Sequence, residues 1–179
     1  VAQASEALTV ALAGEDETLA LGRLMAQSLD DPPGLCFLLS GGLGAGKTTL
    51  VRGFVSALPG SEAAEVASPS FNICNRYPTR PPVAHYDLYR LEGFAPDEEL
   101  LEDFSDLSLL VIVEWSQYLE PRHRPLSRID VALEPAGTGR LARLASAGER
   151  ACACLARIRE ALRDMPGGLT ASTTPARET

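Results

Sequence analysis

The chain has 179 residues, 45% of them hydrophobic, which is enough for one substantial core and hardly two. Its formal net charge of −8 disfavours a protein that grips RNA or DNA with its whole surface. No apolar run approaches the roughly 18 to 20 residues of a membrane span, and the N-terminus lacks a basic-then-apolar leader layout, so a cytoplasmic location is expected.

Taken in chain order, LTVAL (residues 8–12) alternates like a strand. Gly14-Glu15-Asp16-Glu17 then leads into a helix through Leu19, Leu24, Met25 and Leu29, ending before Pro32-Pro33. The apolar run from Gly34 to Ser40 predicts a buried strand. After it, TTLVRGFVSAL places Leu50, Val51, Phe54, Val55 and Leu58 on one helical face.

Between that strand and helix lies GGLGAGKTT. Gly41, Gly46, Lys47 and Thr48 satisfy G-x-x-x-x-G-K-[ST], the Walker A pattern of a phosphate-binding loop. Glycines let backbone N–H groups turn inward around phosphates, and the helix N-terminus adds the positive end of its dipole. Lys47 is the only lysine in the chain, the other basic side chains being arginine. A compact ammonium suits the β- and γ-phosphates better than a planar guanidinium, and the Thr48 hydroxyl suits Mg²⁺. Gly42, Leu43, Gly44 and Ala45, between the pattern's two glycines, complete the predicted nucleotide cradle.

Pro59-Gly60 break the helix, and an acidic stretch leads to SPSFNICNRY, read as a loop entering a strand. A turn over Thr79 to Pro82 and a strand over VAHYDLYRL complete an antiparallel hairpin. Pro96-Asp97-Glu98-Glu99 starts a helix with acids in its first turn, as the helix dipole favours. LSLLVIVEW is the most apolar run and predicts a strand buried on both faces. Ser127 to Leu133 and Arg140 to Ser146 read as two strands around Gly137-Thr138-Gly139, and Glu149 to Arg163 as a final helix. One domain over residues 1–164 is expected, with 165–179 a flexible tail. Cys36, Cys74, Cys152 and Cys154 have no zinc spacing and read as free thiols.

Hydrolysis needs a metal-orienting acid and a group that positions water. Glu114 ends LLVIV, where a strand-end carboxylate faces Mg²⁺ in P-loop folds, and Asp87 ends VAHYD. Glu114 is therefore a metal and catalytic candidate, with Asp87 beside it in either role. Ser70, in Ser68-Pro69-Ser70-Phe71, is a hydroxyl on a candidate nucleotide-sensing loop. His85 shares a strand face with Asp87, and a structural hydrogen bond is weighed there against catalytic work. Trp115 stacks near nucleotide or packs in the core. Arg52 and Arg90 neutralise transition-state charge or serve surface roles. The clusters Arg122, His123, Arg124, Arg128 and Arg140 to Arg163 read as solvated faces or a docking surface. No N-K-x-D guanine motif is present, which favours ATP by elimination.

The ordered blocks LSGGLGAGKTTLVRGF, SPSFNICNRY, HYDLYRL and VIVEW resemble the bacterial TsaE (YjeE) ATPases, required for making threonylcarbamoyladenosine in tRNA. The resemblance runs from about Val1 to Ser146. It implies an α/β fold, a P-loop NTPase-like three-layer sandwich with a mixed parallel/antiparallel central sheet. It also implies ATP and Mg²⁺ as cofactors, a switch loop, and functional roles for Lys47, Thr48, Thr49, Ser70, Asp87 and Glu114. The implied partners are TsaB and TsaD, with tRNA reached through their complex. ATP turnover would be weak alone and stimulated by that complex. Gly42 stands where the family often has aspartate, Ser70 where it has threonine, and Ser116 where proline often follows the E-W pair. A P-loop phosphotransferase acting on a metabolite and a nucleotide-gated interaction module with negligible hydrolysis are the competing classes.

Overall fold

The computed structural model describes residues 6–69, 71–164 and 169–175. One eight-stranded sheet organises them. Its strands are β1 (Glu6–Leu12), β2 (Cys36–Ser40), β3 (Cys74–Tyr77), β4 (Val83–Asp87), β5 (Leu110–Glu114), β6 (Arg128–Ala136), β7 (Gly139–Ala147) and β8 (Thr170–Pro175). They lie in the order β3-β4-β5-β2-β6-β7-β1-β8. The inner four, β4-β5-β2-β6, are parallel, and β3 on one side and β7-β1-β8 on the other are antiparallel. The expected mixed sheet is thus present.

Burial explains why the strands read differently. Every residue of β4 and β5 is buried, and β2 is buried up to its last residue; β2 and β5 accordingly read as apolar runs, while β4 buries His85 and Asp87 among its apolar residues. In β6 only alternate residues, Ile129, Val131 and Leu133, are buried. One face of the sheet carries α1 (Glu15–Gln27), α2 (Lys47–Ser56) and α4 (Glu149–Asp164), whose Leu21, Met25, Leu50, Phe54, Leu155 and Ile158 pack on Phe37, Leu39, Ile112 and Val131. The other face carries a smaller core in which Leu100 of α3 (Glu98–Asp103), Leu88 and Leu119 meet Leu38, Tyr86 and Val113. Three layers result.

Helices α1 and α2 approach to backbone contact. A Cβ on Gly53 would strike the Leu19 carbonyl and lie 2.7 Å from Leu19 Cα; one on Gly22 would strike the Leu50 carbonyl. Glycine at both crossing positions allows this distance. The expected start of α3 is also found, with the Asp97 carboxylate accepting from the Leu100 amide at 2.9 Å.

Three expectations change. VAHYDLYRL is not strand throughout: β4 stops at Asp87, and Tyr89–Leu91 form a 3-10 turn. The Asp87 carboxylate causes this by capping the Tyr89 amide at 2.9 Å, while the Leu91 amide bonds back to Leu88. LSLLVIVEW contributes strand only from Leu110, since Leu107 is 55% exposed and Trp115 leaves the sheet at a φ of 57°. The third concerns the tail, for Thr170–Pro175 pairs antiparallel with β1 as the edge strand β8. Its run of threonine and serine suits an edge whose outer side meets water, which is why it shows no apolar alternation. Residues 165–168 and 176–179 of the expected tail lie outside the described residues. Among the described residues no helix is long and apolar enough to cross a membrane.

Candidate active site

Strand β2 delivers the loop of the Walker A pattern at its C-terminal end, and α2 begins at Lys47. Gly41, Gly44 and Gly46 adopt φ values of 141°, 72° and 100°. At Gly41 a Cβ would also lie 2.5 Å from the Leu133 carbonyl, so both space and conformation demand glycine. Gly42 differs: its φ is not in that region and a Cβ would meet nothing within 4 Å. The departure from the family pattern at this position therefore places no strain on the loop.

Parallel register brings the acids to the same place. Glu114 pairs with Leu39 of β2 on one side and with Asp87 of β4 on the other. Leu110, Ile112 and Glu114 share one face of β5, as Val83, His85 and Asp87 do on β4, and this is the face covered by α2. Glu114 is 2% exposed and Asp87 4%. The Thr48 hydroxyl donates to Glu114 Oε1 at 2.8 Å, and His85 Nε2 lies 2.9 Å from the same oxygen. Asp87 accepts from the Ser68 hydroxyl at 2.6 Å and from the Tyr89 amide.

The Lys47 ammonium donates to the Gly41 and Gly42 carbonyls at 2.9 and 2.8 Å. It also lies 3.9 Å from the centre of the Trp115 ring. Burial pulls its pKa below the ordinary value of 10.5, while Glu114 and Asp87 pull the other way. A cleft of about 530 Å³ opens above these groups, lined by Leu43 to Thr49, Ser68, Asp87, Tyr89, Glu114, Trp115, Glu15 and Arg140.

The structure thus gathers Leu43, Gly44, Ala45, Gly46, Lys47, Thr48, Thr49, Asp87 and Glu114 around one cleft, with Gly42 behind it receiving Lys47. Ser70 lies outside the described residues. Its neighbour Ser68 is the hydroxyl seen on the acid. Trp115 packs against the smaller core, stacked on Tyr118 with ring centres 5.8 Å apart, and also lines the cleft. Arg52 pairs with Glu15 at 3.6 Å on the surface, and Arg90 lies over Phe71. Neither lines the cleft.

Arg140, which the sequence places only in a basic cluster read as a solvated face or docking surface, lines the cleft and donates to the Ala45 carbonyl at 2.9 Å from the start of β7. Its place depends on β6 pairing with β2, which local patterning does not reveal. In the other basic cluster, Arg122 pairs with Glu120, while Arg124 and Arg128 share Asp130. Cys36, Cys74, Cys152 and Cys154 are free, as expected.

A family model described as threonylcarbamoyl adenosine biosynthesis protein TsaE matches residues 12–142. Among curated proteins called tRNA threonylcarbamoyladenosine biosynthesis protein TsaE, that of a Nostoc species is 38% identical over 130 residues, covering 68% of this chain and 75% of its own. That of Rickettsia felis is 39% identical over 127 residues (69% and 70%), and that of Bacillus subtilis 35% over 123 (68% and 74%). The crystal structure of YdiB from B. subtilis has the same fold, with a TM-score of 0.73 over 89% of this chain and 99% of that one at 24% identity. On the family match and these identities, the chain belongs to the TsaE family.

Proposed function

We propose that this protein is a Mg²⁺-dependent ATPase of tRNA threonylcarbamoyladenosine biosynthesis, acting in the cytoplasm and sustaining turnover of a TsaB–TsaD complex. The observation that carries the reading is the Thr48–Glu114 hydrogen bond, 2.8 Å long. A helix-start hydroxyl and a buried strand-end carboxylate are the hard oxygen donors that Mg²⁺ prefers, and they stand beside a phosphate cradle. The donor set therefore fits the ion. When bound, Mg²⁺ supplies charge neutralisation on the β- and γ-phosphates.

The chain's own groups divide the remaining work. The loop amides from Gly44 to Thr49 bind phosphate oxygens, and Lys47 exchanges the Gly41 and Gly42 carbonyls for them. Glu114, already engaged by Thr48 and His85, serves the metal. Asp87 is tethered to Ser68 and to the Tyr89 amide, so it suits the attacking water and reports its state to the loop carrying Ser68 and Ser70.

The test is phosphate release from ATP with and without purified TsaB–TsaD and tRNA, in Mg²⁺ and in excess chelator. Slow release alone, a strong rise with the complex and abolition by chelator are expected. Phosphate transferred to a metabolite, or partner binding that depends on ATP without any hydrolysis, would replace this reading.

A further inference from the structure

Every group engaging Glu114 has now been assigned work except His85, which is 0% exposed. Its ring spans two contacts: Nε2 lies 2.9 Å from Glu114 Oε1, and Nδ1 lies 3.2 Å from the Tyr77 hydroxyl. A carboxylate only accepts, so the Nε2–H must donate to Glu114. In that tautomer Nδ1 is an acceptor, and the Tyr77 hydroxyl is the donor within reach. The same hydroxyl is 3.3 Å from the Ala67 carbonyl, but Asn75 Nδ2 already donates there at 3.2 Å. Tyr77 can therefore give its single proton to His85 without leaving Ala67 unsatisfied.

Sheet geometry produces this line. Tyr77 of β3 pairs with Val83, so His85 is its diagonal neighbour on β4; His85 pairs with Ile112, so Glu114 is two residues along on β5. The three side chains Tyr77, His85 and Glu114 share the face that α2 covers, and the line ends at Thr48 in the first turn of that helix. Glu114 Oε1 thus receives two donors, one from α2 and one from β4. Loss of either would free the carboxylate to rotate.

We infer that His85, held in one tautomer by Tyr77, is a positioning residue that fixes the Glu114 carboxylate for its metal. The inference rests on the Mg²⁺-ATP reading of the site. It differs from a space-filling role because it demands a donor at Nε2 and a donor facing Nδ1. Outer partners of metal ligands act in this way, fixing the ligand's orientation.

Its test uses Mn²⁺ as a paramagnetic probe in the full-length protein saturated with ADP, with Mn²⁺ affinity read by electron paramagnetic resonance. Metal-free ADP binding and melting temperature are measured beside it. His85→Leu should weaken Mn²⁺ binding roughly 10- to 100-fold, and His85→Gln, which keeps an N–H donor, should recover much of it. Tyr77→Phe keeps the ring and should give a smaller loss of the same sign, with metal-free ADP binding unchanged. Glu114→Gln separates the two layers of the argument. If it weakens Mn²⁺ binding while His85→Leu and Tyr77→Phe leave it intact, the positioning role is overturned and the metal site stands. If Glu114→Gln has no effect on Mn²⁺, both are overturned. Equal losses in His85→Leu and His85→Gln, with ADP binding and melting temperature lowered together, assign His85 to packing alone and overturn the inference.

Discussion

Lys47 Nζ sits 3.9 Å from the centre of the Trp115 ring while donating to the carbonyls of Gly41 and Gly42. The only lysine of the chain thus rests on the only tryptophan. A phosphate that draws the ammonium away changes the charge at the indole, so Trp115 emission should shift on adding ATP·Mg²⁺. Lys47→Met removes the charge and should abolish the response. It should also lower hydrolysis on the order of 10²- to 10³-fold, the cost of losing one preorganised donor at a transition state. An unchanged emission response in Lys47→Met would separate the lysine from the phosphates.

The same lysine has a pH signature. Its folded pKa lies below 10.5 because burial outweighs the pull of Glu114 and Asp87. The charged form is thus penalised in the fold at every pH below the folded value, and the penalty fades as pH rises toward the unfolded value. Lys47→Met removes that penalty, so its stability relative to the parent should be highest near neutral pH and should decline as pH rises into the alkaline range. Nucleotide binding raises the pKa again, so ATP affinity should fall as pH climbs through the depressed value of the free protein. Thermal melts and ATP titrations across the alkaline range check both trends.

Much of this site was legible because its elements are local. The Walker A run carries its own strand and helix, and an acid ending an apolar run such as LLVIV can be placed on a strand end. The relations across strands were not legible in the same way. Arg140 reaches the Ala45 carbonyl only because β6 lies beside β2, and Tyr77 reaches His85 only through the diagonal of a hairpin. HYDLYR looked like one strand because the Asp87 carboxylate, which turns the chain, is invisible to a hydrophobicity pattern. β8 was missed for a different reason. An edge strand is held by backbone pairing to β1 and needs little apolar surface.

Asp87 and Glu114 should separate under mutation although they are register partners. Glu114→Gln should raise the Mg²⁺ concentration needed for ATP hydrolysis. Asp87→Ala should lower kcat and leave the Mg²⁺ requirement largely intact. It should also release two tethers, the Ser68 hydroxyl and the Tyr89 amide, each worth about 1.5–3 kcal/mol as bonds to a charged group. Protease cleavage between Ser61 and Tyr77 should then increase, and ATP·Mg²⁺ should protect this segment in the parent. Reversed Mg²⁺ behaviour between the two variants would exchange their roles.

Gly53 offers a test of how the fold itself holds the loop. It lies in the helix that begins at Lys47, and its missing Cβ leaves room for the Leu19 backbone of α1. Helix propensity alone makes Gly53→Ala favourable by about 1 kcal/mol. The added methyl, however, would lie 2.7 Å from Leu19 Cα and closer still to its carbonyl, so α1 must shift. Overpacking of this kind costs about 1–3 kcal/mol, and the contact is to backbone that cannot rotate aside, so the upper part of that range should win over propensity. A lower melting temperature is therefore expected for Gly53→Ala. Gly42→Ala, where a Cβ meets nothing within 4 Å, should melt like the parent. Because α2 presents Thr48 to Glu114, Gly53→Ala should also weaken Mg²⁺-dependent nucleotide binding without touching the cleft. Stability equal to the parent's would mean that the α1–α2 crossing is looser in solution than its two glycines require.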